Sequence, residues 1–370
     1  MNFSYSDEQQ AAIELARQIL ADACTPQRLR ALELSGRPRF DRELWGKLAE
    51  SGLIAAALPE EQGGAGLGFL TLAGIIEQVG RTAAPVPLLE TTVLGALPIA
   101  RFGSAAQKEA WLPRAATGAI VLTAALVEPH REPTAPDTRA VKDDAAYRLT
   151  GRKHCVPAGP IADLVLVPAA VDGGVGVFLV ESGAAGVKQT PLATTSQQPE
   201  SLLELDGARG ELLGTPAQGR EIVEWILLRA TAALCALATG VCSEALRLTA
   251  EYTKTRKQFG QPIATFQAVA QRAADAFIDT EGVRLTALQA AWRIDAGLPA
   301  EAAVAAAKYW AAQGGSRVVR AAQHLHGGVG VDREYPLHRY YVYARQLELT
   351  LGGATQQLRT LGRLIASDAA

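Results

Sequence analysis

Apolar and polar positions along the chain change their spacing twice. Up to about residue 118 the period is helical. Ser6-Asp7-Glu8-Gln9 has capping-box spacing, and Ile13, Ala16, Ile19 and Leu20 then recur on one face. Further helices are predicted near 41–53, 69–81, 86–102 and 105–116. Pro59 and the loop Gln62-Gly63-Gly64-Ala65-Gly66 interrupt them.

Between about 120 and 215 the pattern becomes that of strands. The segments near 120–127, 145–150, 163–169, 175–181 and 201–205 are short and apolar or alternating, with turns such as Asp172-Gly173-Gly174 and Asp206-Gly207 between them. After Gly219 the helical period returns in long, alanine-rich segments near 219–255, 262–296, 299–324 and 354–366. Helices of that length joined by short loops predict an antiparallel bundle. The expected fold is mainly α with a β middle domain, divided into 1–119, 120–217 and 218–370.

Composition narrows the class without naming a function. The 370 residues are 48% hydrophobic and 20% charged, which is too apolar for a disordered chain and ample for a sizeable core. With 36 basic against 38 acidic residues, no large phosphate-binding surface is implied, so nucleic acid is not an expected partner. No stretch approaches the roughly 20 apolar residues that span a bilayer, so no membrane is expected either. The start, MNFSYSDEQQ, lacks the basic and apolar regions of a secretory signal. Cys24, Cys155, Cys235 and Cys242 are scattered, without metal-ligand spacing, and read as reduced thiols of a cytoplasmic protein with no metal site.

Three stretches carry candidate chemistry. In Arg256-Lys257-Gln258-Phe259-Gly260-Gln261-Pro262-Ile263, Gly260 suits the end of one helix and Pro262 the start of the next. Cationic side chains at such a corner can grip phosphate, and they equally suit a solvated helix end. In His324-Leu325-His326-Gly327-Gly328-Val329-Gly330 the glycines either admit a ligand against the backbone or cap the helix. No third ligand accompanies the two histidines, which points to packing or hydrogen bonding rather than metal. Leu349-Thr350-Leu351-Gly352-Gly353-Ala354-Thr355 is a Gly-Gly break with no ionisable side chain. Nucleophile elbow, Walker loop and HExxH are absent.

Taken together, these stretches resemble the acyl-CoA dehydrogenase family of FAD enzymes over essentially the whole chain. The resemblance is strongest in RKQFGQPIATFQAVAQRAADAF at 256–277 and HGGVGVDREYPLHRYYVYAR at 326–345. LPEEQGGAGLG at 58–68, VEP at 127–129 and YRLTGRK at 147–153 add weaker matches. It implies an N-terminal helical domain, a middle β-barrel and a C-terminal four-helix bundle, with FAD extended at a subunit interface. It also implies α,β-desaturation of an acyl-CoA thioester, with a glutamate as base and an electron-transfer flavoprotein as acceptor. By resemblance, Arg256 is the diphosphate-binding arginine, Phe259 the aromatic beside the cofactor, Gln267 a polar contact, and Gly327 and Gly328 the close-approach glycines. The family's glutamine before the glycine pair aligns with His324, with Gln323 one position earlier.

Departures from the family pattern fall elsewhere. The Glu-Gly-Thr segment that carries the base reads Leu351-Gly352-Gly353, and the alternative base position on the first long bundle helix falls at Ala230. The flavin-facing Thr-Glu-Pro is Val127-Glu128-Pro129, and the aromatic and hydroxyl that normally touch the ring align with Cys155 and Pro157. No catalytic residue is therefore assigned. The expectation is a base-lacking subunit that completes the FAD site of a second, glutamate-bearing subunit in an α2β2 assembly acting on an acyl-CoA, with a bulky acyl group as the substrate the resemblance suggests. The alternatives are a self-sufficient dehydrogenase with Glu348 as a relocated base, and a non-redox binding or assembly protein on the same fold.

Overall fold

Capping side chains start the first helices where the spacing places them. In the computed structural model, which describes residues 4–144 and 146–368, the Ser6 hydroxyl accepts from the Gln9 N–H at 3.2 Å and the Gln9 side chain accepts from the Ser6 N–H at 3.0 Å. This capping box opens α1 (Asp7–Ala23), which buries Ile13, Ala16 and Leu20. A short α2 (Pro26–Leu34), not foreseen from the pattern, buries only Leu29. Asp41 caps α3 (Arg42–Glu50), and α4 (Gly68–Thr82) is buried along most of its length.

The predicted helix at 86–102 is two elements. A π-helical turn, Glu90–Ala96, precedes α5 (Leu97–Phe102), and the Leu97 N–H reaches back to the Thr92 carbonyl. Pro98 has no N–H to continue an i→i−4 ladder, which is consistent with the wider turn ahead of it. A second capping box, Ser104 with Gln107, opens α6 (Ala105–Ala116).

Seven strands then build the middle domain: β1 (Leu122–Ala124), β2 (Arg139–Asp143), β3 (Ala146–Pro157), β4 (Leu164–Val171), β5 (Gly174–Glu181), β6 (Val187–Leu192) and β7 (Glu200–Leu213). Pairing runs β4–β2–β3–β7–β5, and β5 pairs back with β4, so five strands close a barrel. β1 lies parallel to β4, and β6 pairs only with β7. Inward residues meet across the ladders, as Val165 opposite Val180 and Val167 opposite Phe178. These four, with Leu149, Val156, Leu203 and Leu205, form the barrel core. β2 and β6 escaped the sequence pattern because they are mostly exposed and carry few apolar residues.

The helical C-terminal domain comprises α7 (Gly219–Thr255), α8 (Gln267–Asp295), α9 (Glu301–His326), α10 (Leu337–Leu349) and α11 (Ala354–Asp368). α8 starts five residues later than 262 because a two-rung ladder and a 3-10 turn, Ile263–Thr265, occupy the corner. α10 was not foreseen as a helix; among the described residues it stands beside the four helices that the pattern predicts. Its run of tyrosines gives a weak helical period. By length and composition, the helix Pro216–Thr255 is apolar enough to cross a membrane, against the expectation of no such stretch. Of its most apolar window, of mean hydropathy 1.7, 78% is buried inside the protein, as in a core bundle helix.

Two compact units result. One comprises Leu32–Gly68 and Pro85–Ala230, the other the N-terminal residues to Ala31, Phe69–Ala84 and the chain from Thr231 onward.

Candidate cofactor site

The corner between α7 and α8 is held by its own backbone. The Arg256 N–H donates to the Tyr252 carbonyl at 2.8 Å, and the Ile263 N–H donates to the Arg256 carbonyl at 2.8 Å. Lys257 pairs with Pro262 and Gln258 with Gln261 across a tight turn. At that turn Phe259 takes φ 51°, a conformation disfavoured for an aromatic residue, and the residue is 92% exposed. Its ring meets Phe266 edge-on at 6.1 Å. The exposed Arg256 guanidinium has no ion pair or side-chain hydrogen bond among the described residues. Gln267, also exposed, opens α8, whose N-terminal N–H groups favour negative charge.

The end of α9 presents a second open backbone. Gly327 ends the helix at φ 61°, ψ −138°, and a Cβ at Gly327 or Gly328 would meet nothing within 4 Å. His324 is exposed, whereas the Gln323 amide turns inward and donates to the Gly327 carbonyl at 3.2 Å. His326 is buried, as the packing reading requires. Its Nδ1 lies 2.8 Å from the Ala322 carbonyl, which can only accept, so the neutral ring carries its proton there. Nε2 is left to accept from the Tyr335 hydroxyl at 3.2 Å. Burial holds the His326 pKa below its ordinary value.

His326 also joins the two segments. Its ring stacks on Tyr252 at 4.4 Å and 24°, and Tyr252 is the residue whose carbonyl anchors Arg256. Within this unit the structure therefore links the Arg256 corner to the Gly327-Gly328 turn through one aromatic stack. Tyr252 and Tyr335 were missed in the sequence, although the repeated aromatics of the 326–345 stretch were a usable signal.

The middle-domain residues are arranged differently. Glu128 is buried and accepts from Lys153 Nζ at 2.6 Å, from the Thr138 N–H and hydroxyl at 3.1 and 2.6 Å, and from the Asp137 N–H at 2.5 Å. Burial opposes the charge on Glu128, but these donors outweigh it and hold its pKa low; burial pulls Lys153 down despite its partner. A register shift between Lys153 and Val156 throws Cys155 into a bulge at φ 48°. The exposed Cys155 thiol is pushed up by partial burial and by Glu200, which it hydrogen-bonds. Pro157 has no N–H, and its carbonyl accepts from the Thr123 hydroxyl at 2.6 Å.

Around the Gly-Gly break, Leu351 and Gly352 both have positive φ, 54° and 95°. Glu348 is ion-paired with Arg345, and Ala230 is 1% exposed. Lys308, fully buried, was also missed; it donates to the carbonyls of Leu347 and Glu348 at 2.9 and 3.2 Å. A single lysine among the alanines of 302–312 was the available signal. Among the described residues no group of three His, Cys, Asp or Glu could hold a metal.

Comparison with known proteins decides the family. The model of the acyl-CoA dehydrogenase N-terminal domain matches residues 6–119, and that of the C-terminal domain matches 217–365. FadE27, an acyl-CoA dehydrogenase of Mycobacterium tuberculosis (strain ATCC 25618 / H37Rv), is 42% identical over 99% of both chains.

This chain belongs to the acyl-CoA dehydrogenase family.

Among solved acyl-CoA dehydrogenases, it is similar to a variant of the Tcur3481-Tcur3483 steroid ACAD, with 44% identity, TM-score 0.92 and coverage of 98% of this chain and 99% of that one. It is equally similar to the ChsE4-ChsE5 complex from Mycobacterium tuberculosis, with 43% identity, TM-score 0.93 and coverage of 99% of both. FAD is the cofactor of the family, present in a solved structure that shares the fold at TM-score 0.90 and 26% identity. The Arg256 corner, the start of α8 and the open Gly327-Gly328 turn fit the phosphate-bearing part of that cofactor: a cation without a side-chain partner among the described residues, a helix N-terminus and a backbone beside which a Cβ would meet nothing within 4 Å.

Proposed function

We propose that this chain is the base-lacking subunit of an FAD-dependent acyl-CoA dehydrogenase, and that it completes the FAD site of a second, glutamate-bearing subunit in an α2β2 assembly. The observation that carries this reading is an asymmetry between its two halves. The groups that would be lent to a neighbour's cofactor are exposed, and among the described residues the Arg256 guanidinium has no ion pair or side-chain hydrogen bond, whereas those that would face its own flavin ring are already committed. The Glu128 carboxylate is taken by Lys153, Thr138 and Asp137, Cys155 sits in a bulge, and Pro157 has no N–H to donate.

In this reading Arg256 grips the diphosphate as a two-pronged donor, and Gln267 adds a hydrogen bond from the start of α8. Phe259 and His324 would pack against the cofactor, and Gly327-Gly328 would let it approach the backbone. FAD, when bound, supplies the hydride acceptor for the β-carbon of the acyl-CoA. The α-proton requires a positioned carboxylate, which the partner's glutamate provides, since Gly352 and Ala230 offer none. An electron-transfer flavoprotein would serve as the external electron acceptor. The likeness to a steroid ACAD favours a steroid side-chain or similarly bulky acyl group as substrate. The domain boundaries in this reading lie at about 119 and 217.

Glu348 is a poor relocated base because its carboxylate is paired with Arg345. The test is the visible spectrum of the chain purified alone and with a glutamate-bearing partner. An oxidised-flavin band from the pair only supports the assignment; a full band from the chain alone opposes it.

A further inference from the structure

The two segments that face a ligand in the proposed FAD site have little packing of their own. Residues 256–261 are exposed throughout, and so are Gly327, Gly328 and Val329. Positive φ angles at Phe259, Gly260 and Gly327 (51°, 82° and 61°) turn the chain sharply at both places. Where each segment points is therefore set at its root. The roots are Tyr252 for the Arg256 corner and His326 for the glycine turn, and both belong to the unit that runs from Thr231 onward.

The roots meet in a cluster of three rings. The Tyr252 carbonyl accepts from the Arg256 N–H at 2.8 Å, and the Tyr252 ring stacks on His326 at 4.4 Å and 24°. His326 is the last residue of α9, directly before the 3-10 turn Gly327–Val331. Tyr335, beyond that turn, comes back to the same place: its ring centre lies 5.1 Å from His326 and 6.2 Å, edge-on, from Tyr252. Its hydroxyl meets His326 Nε2 at 3.2 Å, so both ends of the glycine segment are pinned to the ring that roots the corner. The buried imidazole is oriented at three points, by the Ala322 carbonyl 2.8 Å from Nδ1, by Tyr335 at Nε2 and by Tyr252 on its face.

We propose that Tyr252 and His326 are positioning residues that lock the Arg256 corner to the Gly327-Gly328 turn, so that the two segments act as one cradle for the phosphate-bearing part of FAD. The identity of the ligand rests on the reading given under Proposed function; the lock rests on the ring contacts alone. Neither ring needs to touch the cofactor. A ligand held by two segments binds better when their spacing is set before it arrives, because less ordering is then lost on binding. Removing either ring frees both segments, and the effect of one ring on the far segment is what distinguishes a lock from two separate supports.

The test has one arm without FAD and one with it. In the full chain alone at neutral pH, His326→Leu speeds exchange of the Arg256 and Ile263 amides about twofold to tenfold, the range that loss of one aromatic pair gives. Tyr252→Leu does the same to the amides of 327–331. Tyr252 is half-buried, so Tyr252→Leu keeps the fold by circular dichroism and decides the matter even if His326→Leu does not fold. In the complex with a glutamate-bearing partner, both leucine variants weaken FAD retention by a similar factor, and Tyr252→Phe, which keeps the ring, stays close to wild type. Combined with Arg256→Ala, Tyr252→Leu adds less than it costs alone, whereas a general loss of stability adds in full. Unchanged exchange at 327–331 in Tyr252→Leu, or fully additive losses of FAD, overturns the proposal. Unchanged FAD retention in Arg256→Ala would instead remove the FAD reading, and exchange across the stack then decides the lock by itself.

Discussion

Lys153 Nζ donates to Glu128 Oε1 at 2.6 Å inside the protein, with the lysine side chain 0% exposed and the glutamate 5%. Each charge is tolerated because of the other and because Thr138 and Asp137 supply further donors to the carboxylate. The pair ties β3 to the segment entering the barrel from β1. It also spends a carboxylate that the family's sequence pattern places near the flavin.

Lys153→Met should therefore lower the stability of the barrel by about 3–5 kcal/mol, because an uncompensated buried carboxylate remains. Lys153→Met with Glu128→Gln should recover much of that loss, since no buried charge is then stranded. Because the Glu128 pKa is depressed in the folded state, its contribution is present above the ordinary carboxylate range and is lost as pH falls through the depressed value. Urea denaturation of the three proteins at neutral pH and at about pH 3–4 checks both statements. A single variant as stable as wild type would mean that the pair contributes nothing.

Arg256→Ala should weaken FAD retention by the assembled complex about tenfold to a hundredfold and leave the fold of this chain intact. A charge-assisted hydrogen bond contributes roughly 1.5–3 kcal/mol. Arg256→Lys should rescue only part, because an ammonium lacks the planar fork. Flavin content after dialysis is the measurement, and equal content in all three proteins would reduce the corner to a solvated helix end.

His326 should make the Gly327-Gly328 turn sensitive to acid. Its pKa lies below the ordinary histidine value of about 6.5, so the neutral ring's contribution is complete above that pH and is lost as pH falls through the depressed value. Protonation turns Nε2 from acceptor to donor at Tyr335. Burial raises the Tyr335 pKa, and Tyr335 also feels Tyr252, Glu251 and Arg247. Amide exchange of 327–335 should accelerate in wild type as pH falls through the depressed His326 value and be fast and pH-independent, after correction for intrinsic rates, in His326→Ala. Identical profiles would place the control elsewhere.

Much of the architecture was legible because hydrophobic period reports burial, and the barrel core and the long helices are strongly periodic. β2, β6 and α10 were not, since a mostly exposed strand and a tyrosine-rich helix leave weak periods. Arg256, Phe259, Gln267 and the glycine pair were legible as a motif, and the structure leaves all five exposed. Buried partners were not legible. Nothing local in the sequence says that Lys153 meets Glu128, or that Lys308 meets the carbonyls of Leu347 and Glu348, because such contacts join residues far apart in the chain.

Gly352→Glu or Ala230→Glu alone should not give this chain dehydrogenase activity, since proton and hydride must leave adjacent carbons of one aligned substrate. Gly352 has φ 95°, and a Cβ there would come within 2.6 Å of Gln356 Oε1, so a glutamate at this position is also strained, by roughly 1 kcal/mol or more. The assay is turnover of acyl-CoA thioesters with an artificial electron acceptor, without partner. Activity clearly above wild type from either variant would mean that a working flavin site is present in this subunit.

The central claim, that this chain completes a flavin site without holding one of its own, is tested most directly by counting flavin in the purified assembly. The account predicts one FAD for every pair of unlike chains, lost together with the partner when the two are separated. One FAD per chain, or FAD retained at full occupancy by this chain alone, would contradict it.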